Sequence, residues 1–198
     1  MGKRVCSVLL SLFMILSLFG CGGRNKKYIE KLNEFNVSIL SSAADCEELG
    51  NLTTSVWSNA ISKKTNDTTR KYVKKPNIDI RGRDENGKFV GYDGMFYDFN
   101  TALSNLFSDP ETLEKVAAIE DSRTKIEELF LEIQNPPKKL NKQYEVAEAL
   151  YDSYHELSKL VTSPTGSLKD FSQAFSHADS EVLKHYDKLK LLLSDDNK

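Results

Sequence analysis

From residue 26 to residue 64 the apolar positions recur in alternating steps of four and three: 28, 32, 35, 39, 42, 46, 49, 53, 56 and 60. These positions hold Tyr28, Leu32, Phe35, Ile39, Ser42, Cys46, Leu49, Thr53, Val56 and Ala60, while Ile29, Leu40, Ala43, Leu52, Trp57 and Ile61 widen the stripe. Such spacing gathers side chains on one face of a helix and predicts a single long amphipathic element over about 26–64, extending at most to Tyr72. A helix that long fits an elongated bundle better than a compact domain.

Helix breakers mark the remaining joints. Prolines stand only at 76, 110, 136, 137 and 164, and no glycine occurs between Met95 and Thr165. A second helix is expected over about 93–107, burying Phe96, Phe99, Leu103, Leu106 and Phe107. A third starts at Asp109-Pro110-Glu111, where an N-cap residue, a first-turn proline and an acidic side chain coincide. It carries Leu113, Val116, Ala117, Ile126, Leu129, Phe130 and Ile133 and stops at Asn135-Pro136-Pro137. A fourth over about 138–161 buries Leu140, Tyr144, Ala147, Leu150, Tyr151, Tyr154, Leu157 and Val161. A fifth over about 167–193 buries Leu168, Phe171, Phe175, Ala178, Val182, Tyr186, Leu189 and Leu193. Similar lengths joined by short turns imply antiparallel neighbours. The expected fold is therefore all-α, an elongated antiparallel bundle of four to five helices. Residues 76–94, with four glycines, form its one irregular loop, and Asn86-Gly87 predicts a type I′ turn at the tip of a small hairpin.

The amino terminus has a different character. Lys3 and Arg4 precede an apolar run, Val5 to Phe19. As a helix it would rise about 22 Å, short of the ~30 Å hydrocarbon core, so a signal peptide is expected rather than a spanning helix. Leu18-Phe19-Gly20-Cys21 resembles the lipobox of bacterial lipoproteins. That resemblance implies cleavage between Gly20 and Cys21, a diacylglyceryl group on the Cys21 thiol, and residence on the extracytoplasmic face of the cell membrane. Two acyl chains suffice for stable anchoring. The expected organisation is 1–20 signal peptide, 21–27 lipidated tether, 28–193 bundle and 194–198 acidic C-terminal tail. In addition, Ser55-Val56-Trp57-Ser58-Asn59-Ala60, Asn135-Pro136-Pro137 and Ser163-Pro164-Thr165-Gly166-Ser167-Leu168 are similar to segments of small uncharacterised helical lipoproteins of Firmicutes. This second likeness implies fold and location only.

Chemistry is sparse. Cys6 leaves with the signal and Cys21 is acylated, so Cys46 is alone and, on the apolar stripe, expected as a buried small hydrophobe. His177, Glu181 and His185 are spaced four apart, yet the two histidines are separated by about 12 Å of helix rise, too far for one ion. His155 is expected to have no metal partner either, and the Asp84, Asn86 and Asp93 spacing lacks the oxygen pattern of a calcium loop. No metal, cofactor or catalytic residue is assigned.

Charge is the distinguishing feature. From residue 21 onward 25 basic side chains face 29 acidic ones, which argues against a nucleic-acid partner. Between Lys63 and Arg83, however, Lys63, Lys64, Arg70, Lys71, Lys74, Lys75, Arg81 and Arg83 outweigh Asp67 and Asp79. A basic segment next to irregular backbone suits contact with a protein or an anionic surface. The leading expectation is a non-enzymatic interaction module whose surface combines these cations with Phe89, Tyr92, Phe96 and Tyr97. The alternative is a ligand-binding lipoprotein holding a small apolar or anionic molecule between helices, lined by Tyr144, Tyr151, Tyr154 and Tyr186. A helix of some forty residues standing upright would carry the basic segment about 60 Å outward, and lying flat would press it onto the membrane.

Overall fold

The computed structural model describes residues 23–75, 83, 85–88 and 96–195. Among the described residues six α-helices form the bundle: α1 Gly23–Ser62, α2 Arg70–Val73, α3 Phe99–Phe107, α4 Pro110–Ile133, α5 Asn141–Thr162 and α6 Leu168–Asp195, with a 3-10 turn at Lys138–Leu140 before α5. No strand occurs among the described residues. An isolated antiparallel bridge joins Lys74 to Phe96, and the Tyr97 amide donates to the Val73 carbonyl at 2.9 Å.

All ten seam positions of α1 are buried, including the polar Ser42 and Thr53. The seam is the spine of the molecule, packing against α3, α4, α5 and α6. Directions follow from cross-links between helices. The Tyr28 hydroxyl donates to the Ile133 carbonyl at 2.6 Å and Lys31 pairs with Glu132, so α4 ends where α1 begins. Ser42 and Tyr154 share a buried hydrogen bond of 2.7 Å, which runs α5 parallel to α1. Trp57 meets Phe171 with ring centroids 6.0 Å apart, which starts α6 near the far end of α1. The four long helices therefore alternate up, down, up, down. Sustained apolar burial along the spine, worth about 1.5–3 kcal/mol per large side chain, holds them.

At the far end of α1 a second apolar cluster, Val56, Ala60, Tyr72, Val73, Phe96, Ala102 and Leu106, seats the short helices. Lys63 ends α1 by taking φ of 54°, and the Lys64 amide reaches back to the Asn59 carbonyl at 3.1 Å. This is the Schellman ending with lysine where glycine is usual, and it stops the helix ten residues short of Tyr72. Likewise α3 begins at Phe99, not near Asp93, because Asp98 caps it: Oδ1 accepts from the Asn100 and Thr101 amides at 3.0 and 3.1 Å.

Several expected core residues lie outside. Ile61, Phe99 and Leu113 are 55%, 42% and 51% exposed; the short α3 covers only part of the end of α1 that carries Ile61, and Leu113 lies on the open side of α4. Ala117 is exposed, and α4 instead buries Ile119. Phe96, expected both among the buried residues of the second helix and on the working surface, is core. At the other end α1 extends back to Gly23, so residues 23–27 of the expected 21–27 tether are helical. Most of the 76–94 loop lies outside the described residues, as do Cys21, Arg81, Phe89 and Tyr92. At its described tip Gly87 takes φ of 75° while Asn86 does not turn positive, so the turn is not type I′, which needs both. No helix among the described residues is long and apolar enough to cross a membrane.

Candidate functional site

Residues 63–75 of the basic segment fold over the end of α1 that is remote from Gly23. Its local frame is polar: Asn59 Nδ2 donates to Thr69 Oγ1 at 2.8 Å, and the Thr69 amide donates to Asn66 Oδ1 at 2.9 Å. These bonds hold residues 63–69 against α1. The Asn105 side chain then donates to the Tyr72 carbonyl at 3.2 Å, tying α3 to α2.

The cations divide into two groups. Lys71 is committed: its ammonium reaches Asp109 Oδ1 at 2.9 Å and Glu111 Oε2 at 3.1 Å, both at the start of α4. Tyr72 donates its hydroxyl to the same Asp109 carboxylate at 3.2 Å. Bonding to Tyr72, Asp109 and Glu111 raises the Lys71 pKa, and bonding to Lys71 lowers that of Asp109. Arg70 pairs with Asp67 at 3.3 Å on open surface, a contact of little energetic weight. Arg83 donates to the Gly87 carbonyl at 2.8 Å. Lys64, Lys74 and Lys75 have no carboxylate partner among the described residues, and Lys75 lies 5.9 Å from the centre of the Tyr97 ring.

Two shallow grooves, each of about 640 Å³, adjoin along Lys75 and Tyr97. Arg70, Lys71, Lys74, Asn105 and Asp109 flank the first. The second has an apolar floor, Ile61, Phe96 and Phe99, with Lys63 at its margin. Five of the eight predicted basic residues thus converge on one end of the bundle. Lys64 and Arg83 line neither groove, and Arg81 falls outside the described residues. Linear reading missed the acidic counterweight, because Asp98, Asp109 and Glu111 come from distant sequence. Asp109-Pro110-Glu111 was visible only as a helix start.

The other candidates resolve differently. Cys46 is free and fully buried, and burial pushes its thiol up to about 12, so it stays protonated. The Glu181 carboxylate lies 3.4 Å from His185 Nε2, His177 is exposed, and no described group of three metal-ligating side chains forms. His155 stacks on Tyr151, and burial holds its pKa below the usual value. Tyr151 and Tyr144 stack on Phe130 at 4.3 and 6.2 Å, while Tyr154 is spent on Ser42. Tyr144 and Tyr151 thus pack on Phe130 and Tyr154 bonds Ser42, and none of the three borders the two grooves. Against protein-family models, curated proteins and solved structures alike, nothing matches this chain.

Proposed function

We propose that this chain is a lipid-anchored helical protein on the extracytoplasmic face of the cell membrane, working as a non-enzymatic interaction module. Cys21 carries the anchor, and the cationic end of the bundle is the working surface. The observation that carries the reading is the pair of adjoining grooves along Lys75 and Tyr97, where cations and exposed apolar side chains meet. An acidic protein segment with an apolar anchor residue, or an anionic surface polymer, complements that chemistry. Lys64, Lys74 and Lys75 supply the charge not already balanced within the protein. The test is cross-linking in the native host followed by affinity purification of the full chain. A partner recovered with the parent and lost from the Lys64→Ala, Lys74→Ala, Lys75→Ala variant supports the reading; equal recovery from both removes it.

A further inference from the structure

Charge is banded along the bundle axis. The base comprises residues 23–31, 131–143 and 193–195, where, among the described side chains, six Lys stand against Glu30 and Glu132. The waist, residues 32–60, 113–130, 144–158 and 172–192, holds sixteen acidic side chains against six basic ones. Lys26, Lys27, Lys138, Lys139 and Lys142 are exposed at the base without a carboxylate partner among the described residues, whereas Lys31 is spent on Glu132. The turn between α4 and α5 brings Lys138 and Lys139 beside the start of α1, as the Tyr28–Ile133 bond requires.

We infer that the base of the bundle is a docking surface for an anionic lipid leaflet, and that it holds the molecule upright with its cationic grooves facing away from the membrane. The inference rests on the anchored reading for its geometry. Cys21 precedes the first helical residue by two positions, about 7 Å of chain at most, so acyl chains on Cys21 hold the base at the headgroups. A flank of α1, α4 or α5 laid on the same leaflet would bring an excess of acidic side chains against like charge. The basal lysines meet opposite charge, and each one placed at an anionic surface strengthens binding about fivefold. With α1 forty residues long, the grooves then stand about 60 Å out.

Amine footprinting on the full-length protein, purified from host membranes and reconstituted in vesicles, tests this. A membrane-impermeant acylating reagent is used, with modification rates read lysine by lysine by mass spectrometry. On vesicles with about one third phosphatidylglycerol, Lys26, Lys27, Lys138, Lys139 and Lys142 are expected to react several-fold more slowly than on pure phosphatidylcholine. Lys64, Lys74 and Lys75 should react equally on both. The difference should vanish in about 1 M salt, where the screening length falls to ~3 Å. Reversing Lys138 and Lys139 to glutamate, with helicity checked, should abolish it at Lys26 and Lys27. Basal protection that is the same on both lipids, or protection at the grooves, overturns the inference. The mass of the N-terminal peptide reads the anchor separately. An unacylated chain that keeps basal protection on anionic vesicles alone sustains the docking surface and removes the anchor.

Discussion

Gly50 lies deep within α1, where alanine would ordinarily stabilise a helix by about 0.5–1 kcal/mol. The ring of Phe175 on α6 changes the sign. A Cβ at position 50 would stand 2.8 Å from Cδ2 of that ring and closer still to Cε2 and Cζ. Carbon atoms in contact sit about 3.5–4.0 Å apart, so the ring would have to retreat by about 1 Å. It has little room, because Phe175 is buried and lies nearly parallel to Phe171, 6.0 Å away at 3°, and Phe171 in turn abuts Trp57. Overpacking of this kind costs about 1–3 kcal/mol. Set against the helix gain, Gly50→Ala is expected to destabilise the fold by ~0.5–2 kcal/mol. At about 2–4 °C per kcal/mol for a domain of this size, the melting midpoint should fall by about 1–8 °C.

Urea and thermal unfolding followed by far-ultraviolet circular dichroism measure the effect, and a double-mutant cycle isolates its cause. Phe175→Ala alone should cost about 3–5 kcal/mol. In that background the ring is gone, and Gly50→Ala should become stabilising, since the new methyl enters vacated space and only the helix term remains. A Gly50→Ala variant more stable than the parent would show that the ring yields without cost. Equal destabilisation in both backgrounds would place the penalty somewhere other than Phe175. Either result refutes the reasoning.

Ser42→Ala should cost about 1–3 kcal/mol in urea unfolding, because it strands the buried Tyr154 hydroxyl, and adding Tyr154→Phe should recover most of the loss. Burial lifts the Tyr154 phenol to about 12 even though the Ser42 bond works the other way, so its contribution to stability is complete below pH 10 and lost as pH rises towards 12. Tyr154→Phe should accordingly show a shallower fall in stability across that window. Lys63→Gly should raise stability by about 0.5–1 kcal/mol, since glycine meets the positive φ that ends α1 without a Cβ penalty, and an unchanged midpoint would argue against that strain. Asp179 has its pKa raised by burial and then by Glu47, so its charge opposes folding at neutral pH; Asp179→Asn should stabilise at pH 7 and match the parent near pH 3.

The spine was legible because one physical rule governs it. Ten positions at alternating steps of four and three share a face, and all ten are buried, even where Ser42 and Thr53 interrupt the apolar run. Turn chemistry placed the start of α4 at Pro110 and the breaks between α4, α5 and α6. The far end of α1 was not legible in the same way. Helix α2 is a single turn, too short to carry a periodic signal, and Phe99 has apolar identity without a partner helix long enough to cover it. Asp98 could have been found from its spacing to Thr101, whose amide and hydroxyl it receives. The partner of Tyr154 could not, since Ser42 lies 112 residues away.

Charge shows most clearly what separates a window of sequence from a surface. Between Lys63 and Arg83 the chain is predominantly cationic, yet Lys71 is claimed by Asp109 and Glu111, 38 and 40 residues further on. The charge left without a carboxylate partner among the described residues is smaller, Lys64, Lys74 and Lys75, and of these Lys74 and Lys75 line the grooves. Conversely, Lys26 and Lys27 are remote in sequence from Lys138 and Lys139, and no local window joins them; the antiparallel course of α1 and α4 does. An up-down bundle gathers its helix ends at two poles and leaves its long faces between them. Residues 23–31, 131–143 and 193–195 therefore act as one pole, and acidic faces separate it from the other. That polarity gives the described part of the protein two cationic ends: one at the start of α1, and one about 60 Å away along its length.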